Sequence, residues 1–132
     1  MADTRELWTL VRRQHGVVTR VQLLELGFGS GAIAHRLRSG RLHRVHNGVY
    51  AVGRPDLPRS GRWLAAVLSC GAGSLLSHRS AAALHGLLDD GGAPIEVTVS
   101  PGTTHRRSGL RIYRRAIAAA ERAEVEGVPV TA

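Results

Sequence analysis

The 132-residue sequence contains no lysine, because all 18 of its Lys and Arg residues are arginine. This absence excludes sites built on a lysine amine, such as a Walker lysine, a Schiff-base lysine or a lysine-containing nuclease centre. Cys70 is the single cysteine, which excludes an intrachain disulfide and a cysteine-based zinc site. The sequence has neither an apolar run long enough to span a membrane nor a recognisable signal peptide. We therefore expect a soluble cytoplasmic protein without membrane contact.

Aromatic residues make up only 4% of the chain, so the core must consist mainly of Leu, Val, Ala and Ile. The formal net charge of +8 favours an anionic partner, most simply nucleic acid. A coding bias toward GC-rich codons is the simpler explanation for the exclusive use of arginine. The length suits one domain, or one small domain and part of a second.

The first two helices have clear start and face signals. Residues 4–15 place Leu7, Leu10 and Val11 at helical spacing. Thr19-Arg20-Val21-Gln22 matches a capping box and begins a second helix that ends near Leu26. The residues of this helix expected to face the core are Val21, Leu24 and either Leu23 or Leu26.

A third helix is predicted from Ser30, which we expect to be its cap, to about Ser39. Ile33 and Leu37 lie four residues apart and define the buried stripe. His35 falls on the opposite side, and the other outward positions are Gly31, Ala32, Arg38 and Ser39, with Arg36 on the flank. Small residues followed by basic ones suit a helix that enters the major groove of DNA.

Residues 41–52 predict a β-hairpin, because Asn47-Gly48 is a strong hairpin-turn signal between two alternating segments. Its apolar positions are Leu42, Val45, Val49 and Val52, and we expect Tyr50 to pack at the edge. Its polar positions are Arg41, His43, Arg44, His46 and Asn47. Two helices followed by a basic hairpin are typical of a winged helix, a DNA-binding module. We expect Arg41, Arg44 and His46 to contact the DNA backbone, and Ser30 to contact a phosphate.

The remainder of the chain predicts a second, mixed domain. Helices are expected over 59–70 and 78–87, with strands at 95–99 and 110–114 and a very short one at 75–76. Residues 116–132 allow either a helix or two strands joined by a turn, and we favour the strands. The predicted class is α+β: a winged helix-turn-helix at 1–54, then a partial α/β domain at 55–132 with two helices and a small antiparallel sheet. The apolar run at the end suggests a fragment of a longer protein.

Four other groups of polar residues receive simpler interpretations. His43 and His46 are three apart on a strand and point to opposite faces, so we expect no metal or cofactor there. Ser77 is expected to cap a helix rather than to form a nucleophile–base pair with His78. Asp89, Asp90 and Glu96 lack the lysine usual in a nuclease, so we expect no enzyme activity. The basic group His105, Arg106, Arg107, Arg111, Arg114 and Arg115 is interpreted as a solvated surface in preference to a nucleic-acid or partner contact.

The segments GVVTRVQLLELGFGSGAIAHRLRSGRLHRVHNGVYAVG and GRWLAAVLSCGAGSLLSHRSAAALHGL, followed by IEVTV and GVPVT, occur in this order along the chain. Together they resemble the N-terminal part of actinobacterial AbiE-family (type IV toxin–antitoxin) antitoxin-like proteins. The resemblance implies a winged helix that binds promoter repeats and autoregulates an operon. It also implies antagonism of a nucleotidyltransferase-like toxin, without requiring a stable complex. By position, the DNA-facing residues implied are Thr19 and Arg20, Ser30–Arg38, and Arg44–Asn47.

Two further functions stay open at this point. Similar proteins often carry a C-terminal very-short-patch-repair-like (DUF559) endonuclease domain, so the chain could be the DNA-targeting portion of such a nuclease. A winged helix can also serve only in protein interaction and never contact DNA. The leading prediction is an antitoxin-type autorepressor that binds double-stranded DNA.

Overall fold

The computed structural model describes residues 4–102 and 109–132 and divides into two compact units between Ala65 and Ala66. Its α-helices are α1 (Thr4–Arg13), α2 (Arg20–Glu25), α3 (Ser30–Arg38), α4 (Arg59–Ser69) and α5 (His78–Leu84). The strands are β1 (Val17–Thr19), β2 (Leu42–His46), β3 (Val49–Val52), β4 (Leu75–Leu76), β5 (Ile95–Val99), β6 (Leu110–Arg114), β7 (Arg122–Val125) and β8 (Val128–Thr131). This mixture of helices and two sheets confirms the α+β class. Within the described residues, no helix is both long and apolar enough to span a membrane.

The N-terminal unit is built around one apolar cluster to which every early element contributes. Ile33, Leu23 and Val18 are fully buried within it. Burying aliphatic and aromatic side chains in this way is the main source of stability available to a unit of this size. The buried members are Leu7, Val11, Val18, Leu23, Phe28, Ile33, Leu42 and Tyr50.

The start of α2 confirms the predicted capping box. The Thr19 Oγ1 atom accepts a hydrogen bond from the Gln22 amide at 3.1 Å, and Gln22 Oε1 accepts one from the Thr19 amide at 3.0 Å. Gln14 Nε2 adds a third bond to Gln22 Oε1 at 3.0 Å. The side chains thus satisfy amides that the first turn of a helix leaves unpaired.

The inward face predicted for α2 was wrong at two positions. Leu23 is fully buried, whereas Val21 is 65% exposed and Leu24 is 47% exposed. The helix has six residues and follows directly from β1, so the strand sets its rotation. Spacing alone offered several possible faces and did not contain that constraint.

The first sheet has three antiparallel strands in the order β1-β3-β2. Strand β1 was not predicted, because its three residues are too few to show a period. Because β3 is the central strand, Tyr50 is 2% exposed and belongs to the core, so its predicted edge position was wrong. The hairpin itself is confirmed, with Gly48 at a φ of +76° in the turn. The register of β2 against β3 shifts between Arg44 and His46.

The second unit contains a five-stranded mixed sheet in the order β6-β5-β4-β8-β7. The β5–β6 and β4–β8 pairs are parallel, so the predicted antiparallel sheet was wrong. Alternating residues reveal a strand but not its direction relative to its neighbours. The central residues Leu76, Val97 and Val130 are fully buried.

The favoured interpretation of residues 116–132 is confirmed, since β7 and β8 pair antiparallel across a turn at Glu126-Gly127. One 3₁₀ turn, Ala119–Glu121, precedes them. An ion pair of 2.7 Å between Arg115 Nη2 and Glu121 Oε2 closes this segment. The Arg115 guanidinium, with a smaller contribution from the Ala118 amide, lowers the pKa of the Glu121 carboxyl.

Candidate nucleic-acid interface

The exposed face of α3 has the predicted phase. Ile33 is fully buried and Leu37 packs against the same core while remaining half-buried. Arg36 is also half-buried, on the flank of this stripe. The exposed positions are Ser30, Gly31, Ala32, His35 and Arg38, followed by Ser39 after the helix. The helix therefore presents small residues near its start and imidazole and guanidinium groups later.

The start of α3 differs from the prediction by one residue. Gly29, with extended dihedral angles, is the N-cap, and its carbonyl accepts the Ile33 amide at 3.0 Å. Ser30 is the first helical residue, so the prediction that it is the cap was wrong. Gly29 has no side chain to accept a hydrogen bond, and α3 has no side-chain cap. The Ser30 side chain does not cap the helix, and its Oγ atom takes part in another contact.

That contact is made by Arg20, the first residue of α2. Its Nη2 atom donates to Ser30 Oγ at 3.1 Å, and its Nη1 atom lies 3.4 Å from the Tyr50 hydroxyl as a donor. Its backbone amide donates to the Gly48 carbonyl in the hairpin turn at 2.9 Å. Arg20 thus links α2 to α3, to β3 and to the turn of the hairpin.

Arg36 is held in a different way. Its guanidinium carbon lies 4.8 Å from the centre of the Phe28 ring, a cation–π arrangement. Phe28 is 2% exposed and precedes α3 in the chain. The Arg36 head group is therefore restrained beside the helix, whereas Arg38 lies on the exposed face.

The hairpin of β2 and β3 lies next to the end of α3. The Arg41 amide donates to the Arg36 carbonyl at 2.9 Å, and the Arg41 carbonyl accepts the Gly53 amide at 2.8 Å. The side chains of Arg41, Arg44 and Asn47 are exposed. His46 is half-buried and has a contact within the protein.

The twelve residues predicted to contact DNA therefore fall into two groups. Thr19, Arg20, Ser30, Arg36 and His46 have side chains that already make contacts within the protein. The others are exposed and lie on α3 or on the hairpin and the residue before it: Gly31, Ala32, His35, Arg38, Arg41, Arg44 and Asn47.

His43 lines a pocket of about 370 Å³ together with Arg44, Val45, Pro55, Asp56, Leu57 and Arg62. Among the residues the structure describes, its Nε2 atom is buried without a hydrogen-bond partner. No group of three or more His, Cys, Asp or Glu side chains in the described ranges could hold a metal ion.

Ser77 and His78 in the second unit are hydrogen-bonded, with 3.0 Å between Ser77 Oγ and His78 Nδ1. Ser77 is the N-cap of α5 as predicted, but its side chain does not make the capping bond. It is only 1% exposed, so a substrate could not reach its hydroxyl. The hydrogen bond between Ser77 and His78 is therefore a local structural contact, and it does not identify Ser77 as a nucleophile.

A polar cluster that the sequence pattern did not predict surrounds Glu96, which is 8% exposed. Its carboxylate accepts the Arg79 amide at 2.9 Å and the Tyr113 hydroxyl at 2.6 Å, and the Tyr113 ring stacks on His78 at 3.9 Å. Hydrogen bonding to Glu96 raises the pKa of Tyr113. The period-two pattern put Glu96 on one face of a strand, but it gave no sign of the parallel neighbour that carries Tyr113.

The second basic group does not behave as one surface. Arg115 is paired with Glu121, while Arg111 and Arg114 are three apart on β6 and so point to opposite faces. His105, Arg106 and Arg107 lie outside the described residues.

Residues 5–53 match the family model described as a transcriptional regulator, AbiEi antitoxin. Over this segment the chain is similar to AbiEi antitoxin transcriptional regulators. The match runs from α1 to the residue after β3, so it contains α3, the hairpin and all twelve of the residues discussed above. The match supports a DNA-binding transcriptional regulator and confirms the family resemblance of the N-terminal part. No curated protein matches the chain.

Proposed function

We propose that the AbiEi segment binds double-stranded DNA at promoter repeats and represses its own operon as the antitoxin of a type IV toxin–antitoxin system. The supporting observation is the exposed face of α3, where Gly31 and Ala32 precede His35 and Arg38 while Ile33 anchors the opposite side. A role at a promoter also implies a cytoplasmic location. The proposed toxin is nucleotidyltransferase-like and is opposed without a stable complex.

In this proposal α3 enters the major groove. Gly31 has no side chain and Ala32 has only a methyl group, so the start of the helix can approach the bases closely. Arg38 and His35 supply hydrogen-bond donors for base edges or phosphates. Phosphate contacts position such a protein, whereas base contacts specify the sequence.

The hairpin is proposed to hold the DNA backbone beside α3. Arg41 and Arg44 are exposed, and the Arg41 backbone is bonded to the end of α3, so both elements meet one stretch of DNA. Asn47 lies in the exposed turn and can reach a phosphate as well. Because the contacts with arginine release counterions, affinity should fall steeply as salt increases.

The test is a footprint and a binding titration on the DNA upstream of the gene, with Arg38→Ala and the control Arg12→Ala. Both residues are exposed arginines of the same unit, and Arg12 lies on α1, outside the proposed interface. We expect Arg38→Ala to weaken binding by about 10–100-fold and to reduce the salt slope by about one. Arg12→Ala should change affinity less than about twofold.

Equal losses for the two variants would show that binding depends on total charge and would reject the α3 assignment. Absence of binding by the parent protein to any duplex at moderate salt would reject DNA binding itself. A repression assay on the same upstream DNA then tests autoregulation separately from binding.

A further inference from the structure

We infer that Arg20 acts as a positioning residue for α3 and does not primarily serve as a DNA contact. This inference rests on the proposed function, because positioning matters only if α3 reads DNA. The family resemblance implies that Arg20 faces DNA, and this inference gives Arg20 a different role.

The beginning of α3 has few other restraints. The cap residue Gly29 has no side chain, and a Cβ atom added at Gly29 or Gly31 would meet nothing within 4 Å. The core contacts of the helix come from Ile33, at the end of its first turn, and from Leu37, about one turn later. The first turn is anchored in the core by Ile33 and by the preceding Phe28, and its first residue is held by the Arg20–Ser30 hydrogen bond.

Arg20 is well placed to fix this turn relative to the hairpin. Its guanidinium donates to Ser30 Oγ and to the Tyr50 hydroxyl through different nitrogens, and Tyr50 is buried in the central strand β3. Its own amide is bonded to the carbonyl of Gly48 in the hairpin turn. A single residue thus joins the two elements that are proposed to meet the major groove and the adjacent backbone.

The planar fork of arginine explains the choice of side chain. Its two terminal nitrogens reach two hydroxyl groups on separate elements in a fixed geometry, whereas a lysine ammonium offers one nitrogen on a flexible stem. Arg20→Lys therefore keeps the charge and removes the bridge. If Arg20 contributed only a positive charge near the DNA, lysine would replace it.

The experiment compares Arg20→Lys, Ser30→Ala and the control Arg13→Lys in the full chain. Arg13 is an exposed arginine of α1. The measured quantity is the ratio of affinities for the upstream duplex and for a random duplex of equal length, together with the salt slope of each. A tilt of α3 disturbs base contacts and leaves the count of phosphate contacts unchanged.

We expect Arg20→Lys and Ser30→Ala to lower this ratio by about tenfold, with the random-duplex affinity, the salt slope and the thermal midpoint unchanged. Arg13→Lys should leave the ratio at the parent value. The inference is overturned if Arg20→Lys keeps the parent ratio. It is also overturned if affinity for both duplexes falls alike, because that result indicates a lost phosphate contact or general destabilisation.

A second readout in the free protein separates this inference from the proposed function. The Ile33 amide donates to the Gly29 carbonyl and so reports the integrity of the first turn of α3. Amide exchange at Ile33 should be faster in Arg20→Lys and Ser30→Ala than in the parent or Arg13→Lys. If the parent binds no duplex, the proposed function fails, and unchanged Ile33 exchange would then reject the anchoring role of Arg20 as well.

Discussion

Two adjacent leucines of α2 provide the sharpest test of the packing described above. Leu23 is fully buried and Leu24 is 47% exposed, although both belong to one six-residue helix. Leu23→Ala removes buried methyl groups and leaves a cavity, which destabilises a protein by about 3 kcal/mol. For a unit of this size, that loss lowers the thermal midpoint by about 10–20 °C. Leu24→Ala should stay within about 0.5 kcal/mol of the parent, because solvent already contacts that side chain.

Tryptophan fluorescence during urea unfolding is the appropriate assay. The chain has two tryptophans, Trp8 and Trp63, and both precede the division between Ala65 and Ala66, so the signal reports the N-terminal unit. The two variants should share the parent's dependence on urea concentration and differ only in midpoint. Similar losses for Leu23→Ala and Leu24→Ala would refute the burial assigned to α2. A larger loss for Leu24→Ala would favour the face predicted from the sequence.

Two further predictions concern individual residues. Gly31→Ala should stabilise the protein by about 0.5–1 kcal/mol, because the added Cβ atom would meet open space on α3. Gly61→Ala should destabilise the protein by about 1–3 kcal/mol, because the added Cβ atom would lie 2.6 Å from the His15 carbonyl oxygen. Thermal unfolding of both variants checks this, and a stabilised Gly61→Ala would contradict it. In a Tyr50→Phe background, Tyr113 is the remaining tyrosine, so phenolate absorbance reports its titration. The pKa of Tyr113 should be raised, and Glu96→Gln should move it back toward the ordinary value of about 10. The stability that this hydrogen bond contributes is present at pH values below the ordinary tyrosine pKa and is lost as the pH rises through the raised pKa of Tyr113. An unchanged Tyr113 titration in Glu96→Gln would contradict the role of the hydrogen bond.

Local chemistry was enough to predict much of the N-terminal unit. The Thr19 capping box, the Asn47-Gly48 turn and the buried stripe of Ile33 and Leu37 each depend on residues within one or two turns of each other. The exposed residues of α3 follow from that stripe, so the candidate interface was also visible in the sequence. The family match over 5–53 supports the regulator assignment of this unit.

The errors occurred where distant segments decide the outcome. The rotation of α2 depends on β1, and the burial of Tyr50 depends on β3 being central in its sheet. The direction of β6 relative to β5 depends on how the chain returns between them. The contacts of Arg20 with Ser30 and Tyr50 join residues 10 and 30 positions apart, which no local period can reveal.

The register shift between Arg44 and His46 bears on which hairpin positions tolerate substitution. The pairs Leu42–Val52 and His43–Ala51 lie at the base of the hairpin, while the shift lies nearer the turn. A bulge absorbs an extra residue locally and leaves pairing on the far side intact. The exposed Asn47 in the turn can be exchanged while Leu42 and Val49 on either side of the shift stay buried. Exchanging Asn47 is therefore a direct route to variants of this module that share one core and differ at the hairpin tip.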